Sequence, residues 1–255
     1  HRTMVTSGTY RQSSQVTPAL LARDPNNEQL ERGARFRMEA ELVRDTVLKV
    51  SGLWSARIGG PSVFPPQPSN VTTEGSYGAL SWRTSEGGDR YRRGLYTFAK
   101  RTAPYAMFTT FDGPSGEACV ARREMSNTPL QALTLLNDSV FLEGAQELAR
   151  QLAAGVPDEF VATVRGPQGV VAIERPTDET RRAAYLFRRC VTRPPTADEL
   201  ALVERFYKAQ RERFTNRELD PAPLAGPGEG DVADRAAWTA TARAVLNLDE
   251  VITRE

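Results

Sequence analysis

Apolar positions return at helical spacing in several separate runs. Between Arg35 and Ser51, the residues Phe36, Ala40, Val43, Val47 and Val50 recur three or four positions apart. That period predicts a helix, and Gly52 supplies its C-terminal stop. Thr128 followed by Pro129 predicts a second helix start, with Thr128 as N-cap and Pro129 in the first turn. Leu130, Leu133 and Leu136, with Thr134, are expected on its buried side. Asn137 and Asp138 interrupt the pattern, and Asp138 can cap a further helix running through Leu152. Helices are also predicted over about 178–192 and 197–214. The second of these opens on a capping box, Thr196 with Glu199, after Pro194 and Pro195. A last helix is predicted over about 231–252, its apolar face marked by Trp238, Ala242, Val245 and Leu246.

Between these runs the pattern changes. Proline and glycine at 59–61 and 65–68 exclude regular helix. A long ordered loop is therefore expected over about 55–90, with Trp54, Tyr77, Trp82 and Tyr91 in or beside it. Gly94–Ala99 alternates like a short strand. The stretch 155–176 predicts a small hairpin around 166–169. Residues 220–230 hold three prolines and three glycines and predict a flexible loop. The expected class is mainly α, a helical globular domain with a few short strands, and no internal repeat is visible.

Composition narrows the function classes. The chain has 255 residues, 33 basic and 32 acidic side chains and a net charge of +1. That balance argues against a dedicated nucleic-acid binder. No apolar run is long enough to span a membrane. His1 is the only histidine, which makes a Ser-His-Asp triad, a Cys-His pair or a multi-histidine metal site an unpromising reading of these residues. Cys119 and Cys190 form no CxxC pair, and two separate thiols are expected. No metal and no cofactor is expected in this chain. The opening residues read as the end of a helix, so further chain is expected upstream.

Several runs also carry a resemblance. They are VTSGTYRQSS at 5–14, FRMEAELVRD at 36–45, GGPSV at 59–63 and YRRGLYTFAKRT at 91–102, followed by FDGPSGEACVARR at 111–123 and NTPLQALTLLND at 127–138. In this order they resemble a planctomycete-specific C-terminal domain of unknown function. That domain usually follows a second uncharacterised domain and, further upstream, a planctomycete cytochrome c-like domain. The resemblance implies one C-terminal domain over 1–255, mainly helical, in an exported, extracytoplasmic or periplasmic protein. It brings no reaction. Any haem would belong to the upstream part, whose domains are the expected partners. Ala99 stands where an aromatic residue is expected, and 155–176 looks like an insertion.

Candidate chemistry centres on charge and aromatic rings. Glu41 and Asp45 lie four apart on the first long helix, beside Glu39 and Arg44. They suit a carboxylate pair for acid–base work or metal binding, or a charged helix face tied by a salt bridge to a nearby arginine. Arg90, Arg92, Arg93, Lys100, Arg101, Arg122 and Arg123 fill the central stretch, and a guanidinium fork matches sulfate, phosphate or carboxylate. Arg92, Arg93, Arg122 and Arg123, with Trp82 and Tyr91, are the candidates for an anion or glycan site, and Glu41, Asp45 and Asp112 are their possible carboxylate partners. The favoured alternative is that the arginines form buried salt bridges tying the strand to the helices while the rings fill a small core beneath the loop. Asn127 and Gln131 are further pocket candidates. Two readings follow. One is a non-catalytic binding or assembly module associated with an acidic or sulfated surface polysaccharide. The other is a hydrolase or lyase on such glycans, using Asp112, Glu41 or Asp45 with Arg92 and Arg123. An enzyme needs two of these groups converging in a cleft, whereas a scaffold scatters them among separate ion pairs.

Overall fold

The computed structural model describes residues 1–68 and 82–254. In chain order the elements are α1 (Arg2–Val5), α2 (Pro18–Arg23), β1 (Phe36–Arg37), α3 (Ala40–Ser51), α4 (Ala106–Thr110), α5 (Pro129–Asn137) and α6 (Ser139–Ala154). They continue with β2 (Thr163–Gly166), β3 (Gly169–Ala172), α7 (Asp178–Val191), α8 (Ala197–Thr215), α9 (Ala222–Ala225), α10 (Val232–Leu246), α11 (Asp249–Ile252) and β4 (Thr253–Arg254). Two small antiparallel pairs, β1 with β4 and β2 with β3, are the only sheets among the described residues. The chain is mainly α.

The chain divides into two compact units. The smaller comprises residues 1–38 and the chain from Asp249 onward. Thr17 caps α2 by accepting the Leu20 N–H, and Pro18 occupies its first turn. The Asp24 carboxylate, buried, accepts the N–H groups of Glu28 and Gln29 at 2.8 Å each and closes the next turn. β1 pairs with β4 through Phe36 opposite Arg254 and Arg37 opposite Thr253. Asp249 holds Arg35 at 3.0 Å and Arg37 at 3.4 Å, and the Arg254 guanidinium lies 4.2 Å over the Tyr10 ring.

The larger unit, Glu39–Leu248, holds the helical core. α10 packs against α6 and α8, α3 against α6, and α7 against α8 and α10. Trp238 on α10 is fully buried and stacks on Tyr207 of α8, with ring centroids 4.0 Å apart. Gly144 lets α6 approach α3, since a Cβ there would stand 2.8 Å from Val47. The expected caps form: Thr128 on α5, Asp138 on α6, and the Thr196–Glu199 box on α8. Gly52 ends α3 in the left-handed region at φ 84°. The hairpin forms too, β2 against β3, closed by Gly166 opposite Gly169. Cys119 is exposed and Cys190 buried, both as free thiols, and burial pushes the Cys190 thiol up to about 12.

Five expectations need correction. The helix expected from Arg35 starts only at Ala40, because Phe36 and Arg37 are taken by the strand pairing and Phe36 is exposed. Gly94–Ala99 is not a strand. Gly94–Tyr96 forms a 3-10 turn instead, because Asp45 captures the Gly94 N–H at 2.6 Å and Gly94 abuts the backbone of Glu41. On α5 the face is the opposite of that expected. Leu130 and Leu133 are exposed, while Gln131 and Leu135 are buried. The helix expected over 231–252 is broken after Leu246, where the Asn247 N–H is shared between the Arg243 and Ala244 carbonyls and Leu248 closes a tighter turn on Val245. Finally, 220–230 contains the single turn α9.

The long loop expected over 55–90 is irregular over 55–68 and 82–86 and closes on a 3-10 turn, Gly87–Tyr91. Phe64 and Ser85 tie its two described arms together by reciprocal bonds of 2.9 and 3.0 Å. Tyr77 lies outside the described residues.

Candidate functional site

The α3 helix organises the loops around it through two buried charged residues. Arg44, with no exposed surface, donates to the Arg92 carbonyl at 2.5 Å and the Arg90 carbonyl at 2.9 Å. Asp45 accepts the Gly94 N–H and lies 3.5 Å from Arg93. The run Arg90, Tyr91, Arg92, Arg93 then divides among separate partners. Arg90 and the Tyr91 hydroxyl both donate to Glu143 of α6, each with a 3.0 Å bond. Arg92 is completely buried. Its guanidinium lies 3.7 Å over the Tyr96 ring and donates to the carbonyls of Arg57, Gly59 and Pro61. Among the described residues no carboxylate comes within ion-pair distance of Arg44 or Arg92. Backbone oxygens solvate both cations instead.

Trp82 sits in a small aromatic core with Phe64, Phe98 and Tyr105. Trp82 stacks parallel to Tyr105 at 5.8 Å, meets Phe64 edge-on at 5.2 Å and donates from Nε1 to the Pro65 carbonyl at 2.7 Å. Trp54 is half-buried, flanked at 5.7 Å by Lys49 and by Arg93. Tyr105 is buried, and its burial raises the hydroxyl's pKa despite the neighbouring Arg44. Burial also raises Asp138 above the usual carboxylate range, against the pull of the Val140 N–H and Arg44.

A groove of about 420 Å³ opens on the far side of this core. Gly94–Arg101 forms one wall, α4 the floor, and Gly113–Gly116 the other wall. Phe98 and Phe108 give it an apolar lining, Lys100 and Arg101 a cationic rim, and Glu41 its one carboxylate. The loop supplying the second wall, 113–125, is closed at its base. Asp112, held at φ 58°, accepts the Ser126 N–H at 2.7 Å and the Ser126 hydroxyl at 2.8 Å, while Gln131 donates to Ser126 at 3.1 Å. Such a loop, long and exposed with its ends clipped together, is an Ω-loop. Arg123 pins its other arm to α3 with a two-pronged pair to Glu41, 2.7 and 3.1 Å, and a weaker approach of 3.5 Å to Glu39. Burial favours the neutral form of Glu41, yet the Arg123 fork outweighs it and holds the carboxyl below its ordinary value.

The sequence candidates are thus dispersed. Glu41 is with Arg123, Asp45 with Arg93 and Gly94, and Asp112 with Ser126. Arg92 is sealed under a carbonyl cage, and Trp82 and Tyr91 point into packing. Asn127 is exposed beside the loop base and Gln131 is buried under it. Arg122 is exposed, with no carboxylate partner among the described residues. No cluster of three or more potential metal ligands occurs among the described residues. Both groove walls lie in the runs 91–102 and 111–123, and of their residues only Lys100 and Arg101 stand out in the sequence as candidates, as part of the central cationic stretch. Glu143, the partner of Arg90, lies outside those runs and carried no signal.

Comparison with protein families matches residues 1–207 to the family described as PSD1, protein of unknown function (DUF1553). The chain belongs to the PSD1 family. The matched span contains both groove walls, α3 and the Ω-loop, and it ends within α8. No curated protein matches the chain, and no solved structure matches it. The PSD1 description assigns no reaction, so the groove has to be read from its own chemistry.

Proposed function

We propose that this PSD1 chain is a non-catalytic binding module whose groove takes an acidic or sulfated saccharide segment. One observation carries the non-catalytic part. The three candidate acids, Glu41, Asp45 and Asp112, are each engaged in a separate structural bond and do not converge. General acid–base work on a glycosidic bond needs two carboxyl groups facing one another across the scissile atoms. The ligand class follows from the groove. Phe98, stacked on Phe64, and Phe108 offer apolar ring surface for sugar C–H groups, and Lys100 and Arg101 offer cations for the acidic substituents. The wider context, an exported planctomycete-type protein with cytochrome-like and other domains upstream as partners, is part of this proposal and rests on the resemblance of the six sequence runs.

The test is a glycan array with a parallel cleavage screen. The expected result is retention of sulfated or uronic-acid oligosaccharides without turnover, weakened by Lys100→Glu with Arg101→Glu. Turnover of any such glycan, or retention indifferent to those two substitutions, overturns the reading.

A further inference from the structure

The groove's one carboxylate is already bound to a cation. Glu41 lines the groove from α3, and Arg123 reaches it from the Ω-loop with both guanidinium prongs. Two parallel N–H···O bonds are the geometry in which arginine holds a carboxylate, and sulfate presents the same pair of oxygens. The partnership is only partly buried, at 32% exposure for the Arg123 side chain and 29% for Glu41, so water and solutes reach it. The Ω-loop is otherwise exposed from Pro114 to Arg122, and its fixed points are the Asp112–Ser126 clip and Arg123 itself.

From these observations we infer that Glu41 is an internal competitor for the groove's ligand: it occupies the Arg123 fork, and an incoming sulfate or carboxylate gains that fork only by displacing it. The inference rests on the groove reading above and adds its regulation. Exchange of one anion for another on the same fork costs little net pairing, so a ligand meets Arg123 late, after Lys100 and Arg101 have held it. Glu39 lies 3.5 Å from the same guanidinium and is mostly exposed, so it is a second, weaker claimant. A released fork also frees the loop arm that carries it, which couples occupancy of the groove to the position of residues 113–125.

The experiment measures binding of a fluorescent dextran sulfate oligosaccharide by the whole chain and by variants matched for melting temperature. Glu41→Gln removes the competitor and leaves the fork. It should bind about tenfold more tightly than the parent, the gain expected for one freed charge-assisted contact. Glu212→Gln, on the exposed surface of α8, makes the same change in net charge and should leave affinity unchanged. Arg123→Gln alone should gain nothing, and adding it to Glu41→Gln should abolish the gain. If Glu41→Gln binds no more tightly than Glu212→Gln, or keeps its gain without Arg123, the competitor role is wrong. The Lys100→Glu, Arg101→Glu variant reports separately on the groove. If that variant binds less while Glu41→Gln is unchanged, the groove stands and the competitor falls. If no form of the protein binds, both fall.

Discussion

The larger unit contains two regions built on different physics. Around α6, α8 and α10, the bulk of the buried volume is apolar, with Trp238, Phe141, Leu148 and Leu152 exposing 2% or less of their surface, and the buried polar groups Arg235, Thr239 and Thr241 are confined to α10. Around α3, the deepest side chains include Arg44 and Arg92, and their hydrogen-bond partners are backbone oxygens. Apolar packing is non-directional and tolerates exchange of one hydrocarbon for another of like volume. A buried guanidinium is directional, and each carbonyl left behind by its removal is an unpaired acceptor. The first region is a core that holds loops at a distance, whereas the second is a set of loops that holds itself together by solvating its own cations.

The contrast is broken most severely at Trp238. Trp238→Ala should destabilise the chain by about 3–5 kcal/mol, read by chemical denaturation, and a loss below about 1 kcal/mol would mean the stack on Tyr207 is not the centre of the core. Arg44→Met comes next. It relieves the burial of a charge but strands the carbonyls of Arg90 and Arg92, at about 1–3 kcal/mol each, for a net loss of about 2–3 kcal/mol. A neutral or stabilising outcome would place the carbonyl cage among the buried ionic features that apolar residues replace without cost.

Glu199 gives a smaller and pH-dependent effect. The Arg193 fork holds its carboxyl down to about 2 from an ordinary 4.5, with burial opposing and the capping contact to Thr196 assisting. A depressed folded value means the stabilisation is present above 4.5 and is lost as pH falls through about 2. Both side chains are partly exposed, so solvent screening reduces the contribution to about 1 kcal/mol. Glu199→Gln should cost that much at neutral pH and nothing at the acid end, and a cost independent of pH would point to capping rather than charge. The smallest effect is expected on the exposed face of α5. Leu133→Gln should change stability by less than about 0.5 kcal/mol, and a larger loss would show that this leucine is covered.

What could be read in the chain follows the same division. Caps and periodic helices were legible because their signals are local: Thr128 three residues before Gln131, Thr196 three before Glu199, Trp238 on a clear stripe. The α5 face was misread because its leucines outnumber its polar residues, while the choice of buried side was made by Gln131, which reaches the Thr110 carbonyl at 3.0 Å. The turn at Gly94–Tyr96 was misread because its decisive bond comes from Asp45, 49 residues away. The groove was missed for the same reason. Its walls come from segments that become neighbours only after α3 has placed both, one through Gly94 and the other through Arg123.

The smaller unit is knit from the two ends of the sequence, and this orders its history. Arg35 meets Asp249 across a sequence separation of 214, and β1 has no partner until β4 exists. A ribosome delivers the N-terminal residues first, and domains generally fold as units as they emerge. Here residues 1–38 must wait through the synthesis of α3 to α10 before their last contacts can form. They are the first part of this sequence to be translated and the last that can be finished.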